Sequence, residues 1–142
     1  MLIPLALLVL GIDPQLSSLP GPVRTALSSR WPEAKVSKVE REKPGQLEIE
    51  LTSPEGDFEV TFSSSGKLLG EERVIALAAA PAAVQKAVAA WVGWRVQRVE
   101  RVTEGKVVTF EIVAQRLQEP AVEIELAADG KELRRATAGT AE

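Results

Sequence analysis

The sequence predicts an α+β fold built from two tandem units, each a helix followed by four antiparallel strands. Three observations carry this. Trp31, Val36, Val39, Glu40 and Arg41 return as Trp91, Val96, Val99, Glu100 and Arg101, an offset of 60. Upstream of each block a proline opens a helix-like stretch, with Val23, Ala26 and Leu27 matched by Val84, Ala87 and Val88. Downstream lies a hairpin signal, Gly66-Lys67-x-Leu69 matched by Gly130-Lys131-x-Leu133. Self-similarity at one period marks one supersecondary unit used twice. A unit of about 60 residues buries a marginal core alone, so the two are expected to fuse their sheets or pack together.

The elements follow in order. Residues 13–18 read as a polar linker, with Ser18 placed to cap a helix whose first turn holds Pro20 and Pro22. Val23, Ala26, Leu27 and Trp31 fall on one helical face, and Trp31-Pro32 ends the helix because a residue before proline is pushed out of the α region. The spacing predicts a helix over 20–30. Val36 and Val39, three apart, fit neither strict alternation nor a long helix. Their return as Val96 and Val99 predicts a strand with a bulge at that point in each unit. Leu47, Ile49 and Leu51 alternate with polar residues, as do Phe58, Val60 and Phe62, giving two strands with one wet face. A fourth strand is expected over 67–74.

In the second half, Val84, Ala87, Val88 and Trp91 form the helical stripe, which the alanines of 76–80 are expected to extend backwards across Pro81. Gly93 is placed for a left-handed C-terminal cap. Strands are expected at 95–101, 106–114, 121–127 and 131–136, with Asp129-Gly130 as a two-residue hairpin turn. Trp31 and Trp91 end the helical stripes and are expected in the core. The units therefore span 19–74 and 79–136, and residues 137–142 are expected to fray.

Composition narrows the chemistry. The chain of 142 residues is 45% hydrophobic and 26% charged, ordinary globular material, and carries a net charge of −3. Its 17 basic residues are scattered among 20 acidic ones, which supplies no electrostatic footprint for nucleic acid. His, Cys and Tyr are absent. That removes the usual general base near neutral pH, the thiol nucleophile, the commonest zinc ligands and any disulfide. No catalytic, cofactor-binding or metal-ligating set is expected, and no cofactor. Ser63-Ser64-Ser65 and Gly66-Lys67 are turn chemistry, without the spacing of a Ser–Lys dyad or a phosphate loop.

Residues 1–12 are expected to be a signal peptide: Leu2 to Leu10 is nearly all apolar, too short to span a bilayer. The alternative is an N-terminal strand or a misplaced start. Export to the periplasm or the extracellular space follows, with no stable membrane span after signal removal.

The pattern L-P-x-x-V-x-x-A-L-x-x-x-W-P over Leu19–Pro32, followed by K-V-x-x-V-E, a strand pair and a Gly-Lys-x-Leu turn, resembles the PepSY-like family, whose fold is shared with the beta-lactamase inhibitory protein. The second copy departs from it, with Trp94 where the first has Ala34 and Gly93 in the proline turn region. The resemblance implies one curved antiparallel sheet with both helices on one face. It also implies a non-enzymatic extracytoplasmic binding role, often peptidase inhibition or regulation, with a protease or cell-envelope enzyme as partner. The alternative is a structural envelope protein pairing through its sheet face as a homodimer.

The candidate partner surface is Glu48, Glu50 and Glu59 in the first unit, Glu111, Glu123 and Glu125 in the second, and Trp94. Alternation puts the glutamates on the strand face away from the helix. Adjacent carboxylates repel across a sheet, so they are either neutralised by Lys38, Arg41, Arg98 and Arg101, or solvated, or reserved for a basic partner. Trp94 lies outside the helical stripe and suits an interface anchor, and the 115–120 loop is the place for divergence between the units.

Overall fold

The structure is a computed structural model that describes residues 14–139. The expected signal peptide at 1–12 lies outside the described residues. A short helix α1 (Pro14–Ser18) precedes α2 (Gly21–Arg30) and the strands β1 (Lys35–Lys43), β2 (Gln46–Thr52), β3 (Phe58–Ser63) and β4 (Leu68–Val74). A 3-10 turn (Leu77–Ala79) leads to α3 (Ala82–Ala89), then β5 (Arg95–Glu104), β6 (Val107–Gln115), β7 (Val122–Ala127) and β8 (Glu132–Thr137). All eight strands join one sheet in chain order, each antiparallel to the next.

Register decides which residues share a face, because directly paired residues in antiparallel strands project to the same side. Phe58 pairs with Arg73, Arg73 with Arg101, Arg101 with Phe110 and Phe110 with Leu126. Phe58 belongs to a core of Leu47, Ile49, Leu51, Val60 and Phe62 with Val23 and Leu27 of α2. Phe110 belongs to a second core of Ile112, Ile124 and Leu126 with Val84 and Val88 of α3. Both cores thus lie on one side of the sheet. Between them, on the same side, the β4–β5 seam presents Glu71, Arg73, Arg101 and Thr103. Charged and polar side chains there keep the apolar clusters apart.

The paired valines explain the sequence's broken alternation. Register shifts between Val36 and Lys38, and between Val96 and Arg98, absorb one extra residue in each strand. Val36 and Val39 therefore both reach the core side, opposite Leu51 and Ile49, as Val96 and Val99 do opposite Ala114 and Ile112. The turns at Gly66 and Gly130 abut the helices. A Cβ on Gly66 would lie 2.7 Å from the Pro22 carbonyl oxygen, and one on Gly130 would lie 2.6 Å from that of Ala83.

Some local expectations need correction. Ser18 caps no helix start: it ends α1, its hydroxyl donating to the Gln15 carbonyl, and the residue preceding α2 is Pro20. The second helix does not run back across Pro81, because the Leu77–Ala79 turn stops before it. Gly93 is left-handed (φ 80°) but follows the Ala90 cap by three residues, shaping the turn into β5. Trp31 and Trp91 are half-buried at the margins of their cores, Trp31 meeting Phe58 at 5.3 Å and Phe62 edge-on at 6.4 Å. Thr137 lies within β8, and the Ala138 N–H donates to the Ala121 carbonyl.

Candidate functional site: an acidic sheet face

The side of the sheet away from the cores is read from the complementary register. One cross-strand row runs Lys38, Glu50, Glu59, Glu72, Val102, Thr109. A second runs Glu40, Glu48, Thr61, Gly70, Glu104, Val107. A third runs Val74, Glu100, Glu111, Glu125, Arg134, and a shorter one sets Arg98 across from Val113 and Val113 across from Glu123. The six candidate glutamates of the sequence all fall on this face. It also gathers Glu40, Glu72, Glu100 and Glu104, which pattern alone did not single out. The β4 segment Leu68–Val74 does not alternate apolar with polar, so its faces cannot be told from its composition; its pairing with β3 supplies them.

Two of the cations sit on the edge strands and a third near the start of β5. Lys38, on β1, pairs with Glu40 at 2.7 Å and Glu50 at 3.6 Å. Arg134, on β8, reaches Glu123 at 2.9 Å, Glu125 at 3.6 Å and Glu111 at 3.8 Å. Arg98 pairs with Glu100 at 3.3 Å. The expected neutralisation by Arg41 and Arg101 is not made. Neither forms an ion pair among the described residues, and Arg101 projects to the core side opposite Phe110.

Repulsion is therefore concentrated at the centre. Burial, first, and then the charges of Glu59, Glu111, Glu100 and Glu104 push the Glu72 carboxyl up to about 7. Its row continues into Val102 and Thr109, both buried, which withdraws it from water. Glu111 is also pushed above the usual carboxylate range, by burial and by Glu123 and Glu100, with Arg134 opposing. Three hollows share Glu72: one of about 520 Å³ reaching Glu48, Glu59 and Glu104, one of about 270 Å³ reaching Glu111 and Arg134, and one of about 190 Å³ reaching Glu50 and Glu100. Among the described residues, Lys43 is the one cation lining the first. Together they form an anionic trough along the middle strands.

Trp94 stands apart from this trough. It is half-buried, with the Arg116 guanidinium 4.7 Å and that of Arg135 5.7 Å from its ring centre. With Arg95, Gln115, Arg116, Leu117 and Gln118 it lines a separate hollow of about 520 Å³. Ser63, Ser65 and Lys67 form a hydrogen-bonded turn. Among the described residues no group of His, Cys, Asp and Glu could hold a metal ion, and no helix is long and apolar enough to cross a membrane.

No family model matches the sequence, and no curated protein matches it. Solved structures do. A DUF2874 family protein from Bacteroides uniformis superposes with a TM-score of 0.74 at 20% identity, over 85% of this chain and 92% of that one. A BLIP-like protein from Bacteroides fragilis gives 0.68 at 18% identity, over 85% and 87%. A protein from Bacteroides eggerthii, provisionally assigned to the periplasm, gives 0.71 at 20% identity, over 83% and 88%. The chain has a BLIP-like α+β fold, an eight-stranded antiparallel sheet with few helices.

Proposed function

We propose that this chain is a non-enzymatic extracytoplasmic binding protein whose acidic sheet face recognises a cationic segment of a protein partner such as a peptidase or envelope enzyme. In this reading, residues 19–74 and 79–136 are two PepSY-like copies fused through β4 and β5, with both helices on the core side. The observation that carries it is the placement of charge. Lys38 and Arg134 engage glutamates from the edge strands, while Glu72 is crowded at the centre by the charges of Glu59, Glu111, Glu100 and Glu104 at a cost in stability. A partner that brings guanidinium or ammonium groups relieves that repulsion on binding. Electrostatic complementarity of this kind governs specificity and association rate.

An enzymatic role is disfavoured by the inventory. The perturbed carboxyl of Glu72 would suit a general acid or base, yet no described side chain hydrogen-bonds it. The leader-like segment at 1–12 and the provisional periplasmic assignment of the B. eggerthii neighbour support export. Face-to-face homodimerisation, the alternative, would bring two sets of carboxylate rows together and is disfavoured by like charge.

Calorimetric titration with an arginine-rich peptide tests the reading. Glu48→Lys with Glu59→Lys is expected to weaken binding about tenfold or more at low salt, with a melting temperature at neutral pH no lower than that of the wild type because repulsion on Glu72 is relieved. Trp94→Ala is expected to bind as the wild type does. Reversing Glu123 and Glu125 is a poorer probe, because Arg134 already engages both. Loss of binding in Trp94→Ala, with none in the charge reversal, would move the site to the Trp94 hollow.

A further inference from the structure

A second exposed surface has the opposite charge. At the end where β5 begins and β6 finishes, Leu117, which lines the Trp94 hollow, is 91% exposed, and Val92, two residues before Trp94, is 85% exposed. Arg95 and Arg116 line the adjoining hollow, and neither forms an ion pair among the described residues. The first half has no such feature, since Ala34 holds the place of Trp94. Alternation from Val96, whose partner Ala114 is buried, puts Trp94 on the core side. Arg135, over the Trp94 ring, lies opposite Ile124 on that side as well. The sheet therefore stands between the Trp94 ring and the acidic rows, and the ring meets such rows only on another molecule.

We infer that the Trp94–Arg116 end of one copy docks on the acidic trough of a second copy, head to tail. The inference rests on the reading that the acidic face is a recognition surface. Complementarity holds in two respects. The patch offers the guanidinium groups of Arg95 and Arg116, which form no ion pair among the described residues, and the trough offers Glu72 and Glu104 among its carboxylates. The patch also offers Leu117 and Val92, and the acidic face carries two exposed valines, Val74 at 60% and Val107 at 63%, beside Glu100 and Glu104. Trough against trough or patch against patch would oppose like charges, so only the heterologous contact is favourable. Such a contact leaves a free patch and a free trough at its ends, and it either grows or closes into a ring.

Sedimentation velocity on the full chain tests this, at about 10 mM and about 1 M salt, where the screening length is about 30 and about 3 Å. The sedimentation coefficient is expected to rise with protein concentration at low salt and to fall back to the monomer value at high salt. Arg116→Ala with Leu117→Ser removes the patch, and Glu48→Lys with Glu104→Lys removes the trough. Each variant is expected to weaken self-association roughly a hundredfold and to melt no lower than the wild type. Mixed in equal amounts, they are expected to pair and stop at two copies, because one supplies an intact patch and the other an intact trough. A wild type that stays monomeric at low salt, a patch variant that still associates, or a mixture that stays monomeric would each overturn the inference. A monomeric wild type that still binds the arginine-rich peptide through its trough would leave the acidic-face reading standing.

Discussion

Glu72 shows how a single side chain records the strain of the acidic face. Its carboxyl is held near 7 where a carboxylate ordinarily titrates near 4.5, by burial first and by its neighbours second. The folded state thus binds this proton more tightly than the unfolded chain does. Stability is greatest below the ordinary value and declines as pH rises from about 4.5 to about 7. Glu72→Gln removes the penalty. Its melting temperature is expected to exceed that of the wild type near pH 8 and to match it near pH 4, as thermal melts across pH will show. An equal difference at both ends would contradict burial and like-charge repulsion as the cause. Cationic binding pulls the other way, since it favours the carboxylate, so binding near neutral pH should release a proton. Glu72 was not legible in the sequence because Glu71 and Glu72 are adjacent in a strand without alternation. Glu48, Glu50 and Glu59 were, since each stands between core residues.

At the scale of elements, the strand boundaries expected from sequence fall within a few residues of those observed, whereas the expected linker at 13–18 holds α1 and the second helix starts only at Ala82; the V-x-x-V spacing correctly marked a bulge in β1 and in β5. A three-residue interval between two core valines has one economical solution in a strand, an extra residue that opposes nothing. What pattern could not supply is contact across elements. The turns at Gly66 and Gly130 press on the first turns of α2 and α3, and glycine is required there twice over: φ is +85° and +86°, and a Cβ would meet backbone. Gly130→Ala is expected to destabilise by about 3 kcal/mol or more, and Gly45→Ala, with open space around it at φ +78°, by about 1–2 kcal/mol. Chemical denaturation of the two variants checks this. Equal losses would mean that the contact with α3 contributes nothing.

Across the whole molecule, one continuous backbone ladder carries two separate apolar cores. The polar seam of Glu71, Arg73, Arg101 and Thr103 explains why burial is continuous along β2–β3 and β6–β7 but interrupted between them. Local stability should follow the cores. Ile112→Ala removes a fully buried side chain and is expected to cost about 2–5 kcal/mol. Amide exchange is expected to accelerate in β5–β8 and stay slow in β2 and β3. Uniform acceleration through all eight strands would show that the seam transmits the loss and that the sheet opens as one unit. The separation of the two cores follows from β4, whose face could not be read from its composition, and so was not foreseen from sequence.

The central claim is that recognition belongs to the face without a core. Nuclear magnetic resonance mapping tests it most directly, with an arginine-rich peptide titrated at low salt into the isotope-labelled Arg116→Ala, Leu117→Ser variant, whose trough no second copy occupies. Amide shifts are expected to concentrate around Glu48, Glu59, Glu72, Glu104 and Glu111, and to leave α2, α3 and the Trp94 turn unmoved. Shifts centred on the helices or on Trp94, or spread evenly over every exposed carboxylate, would contradict it.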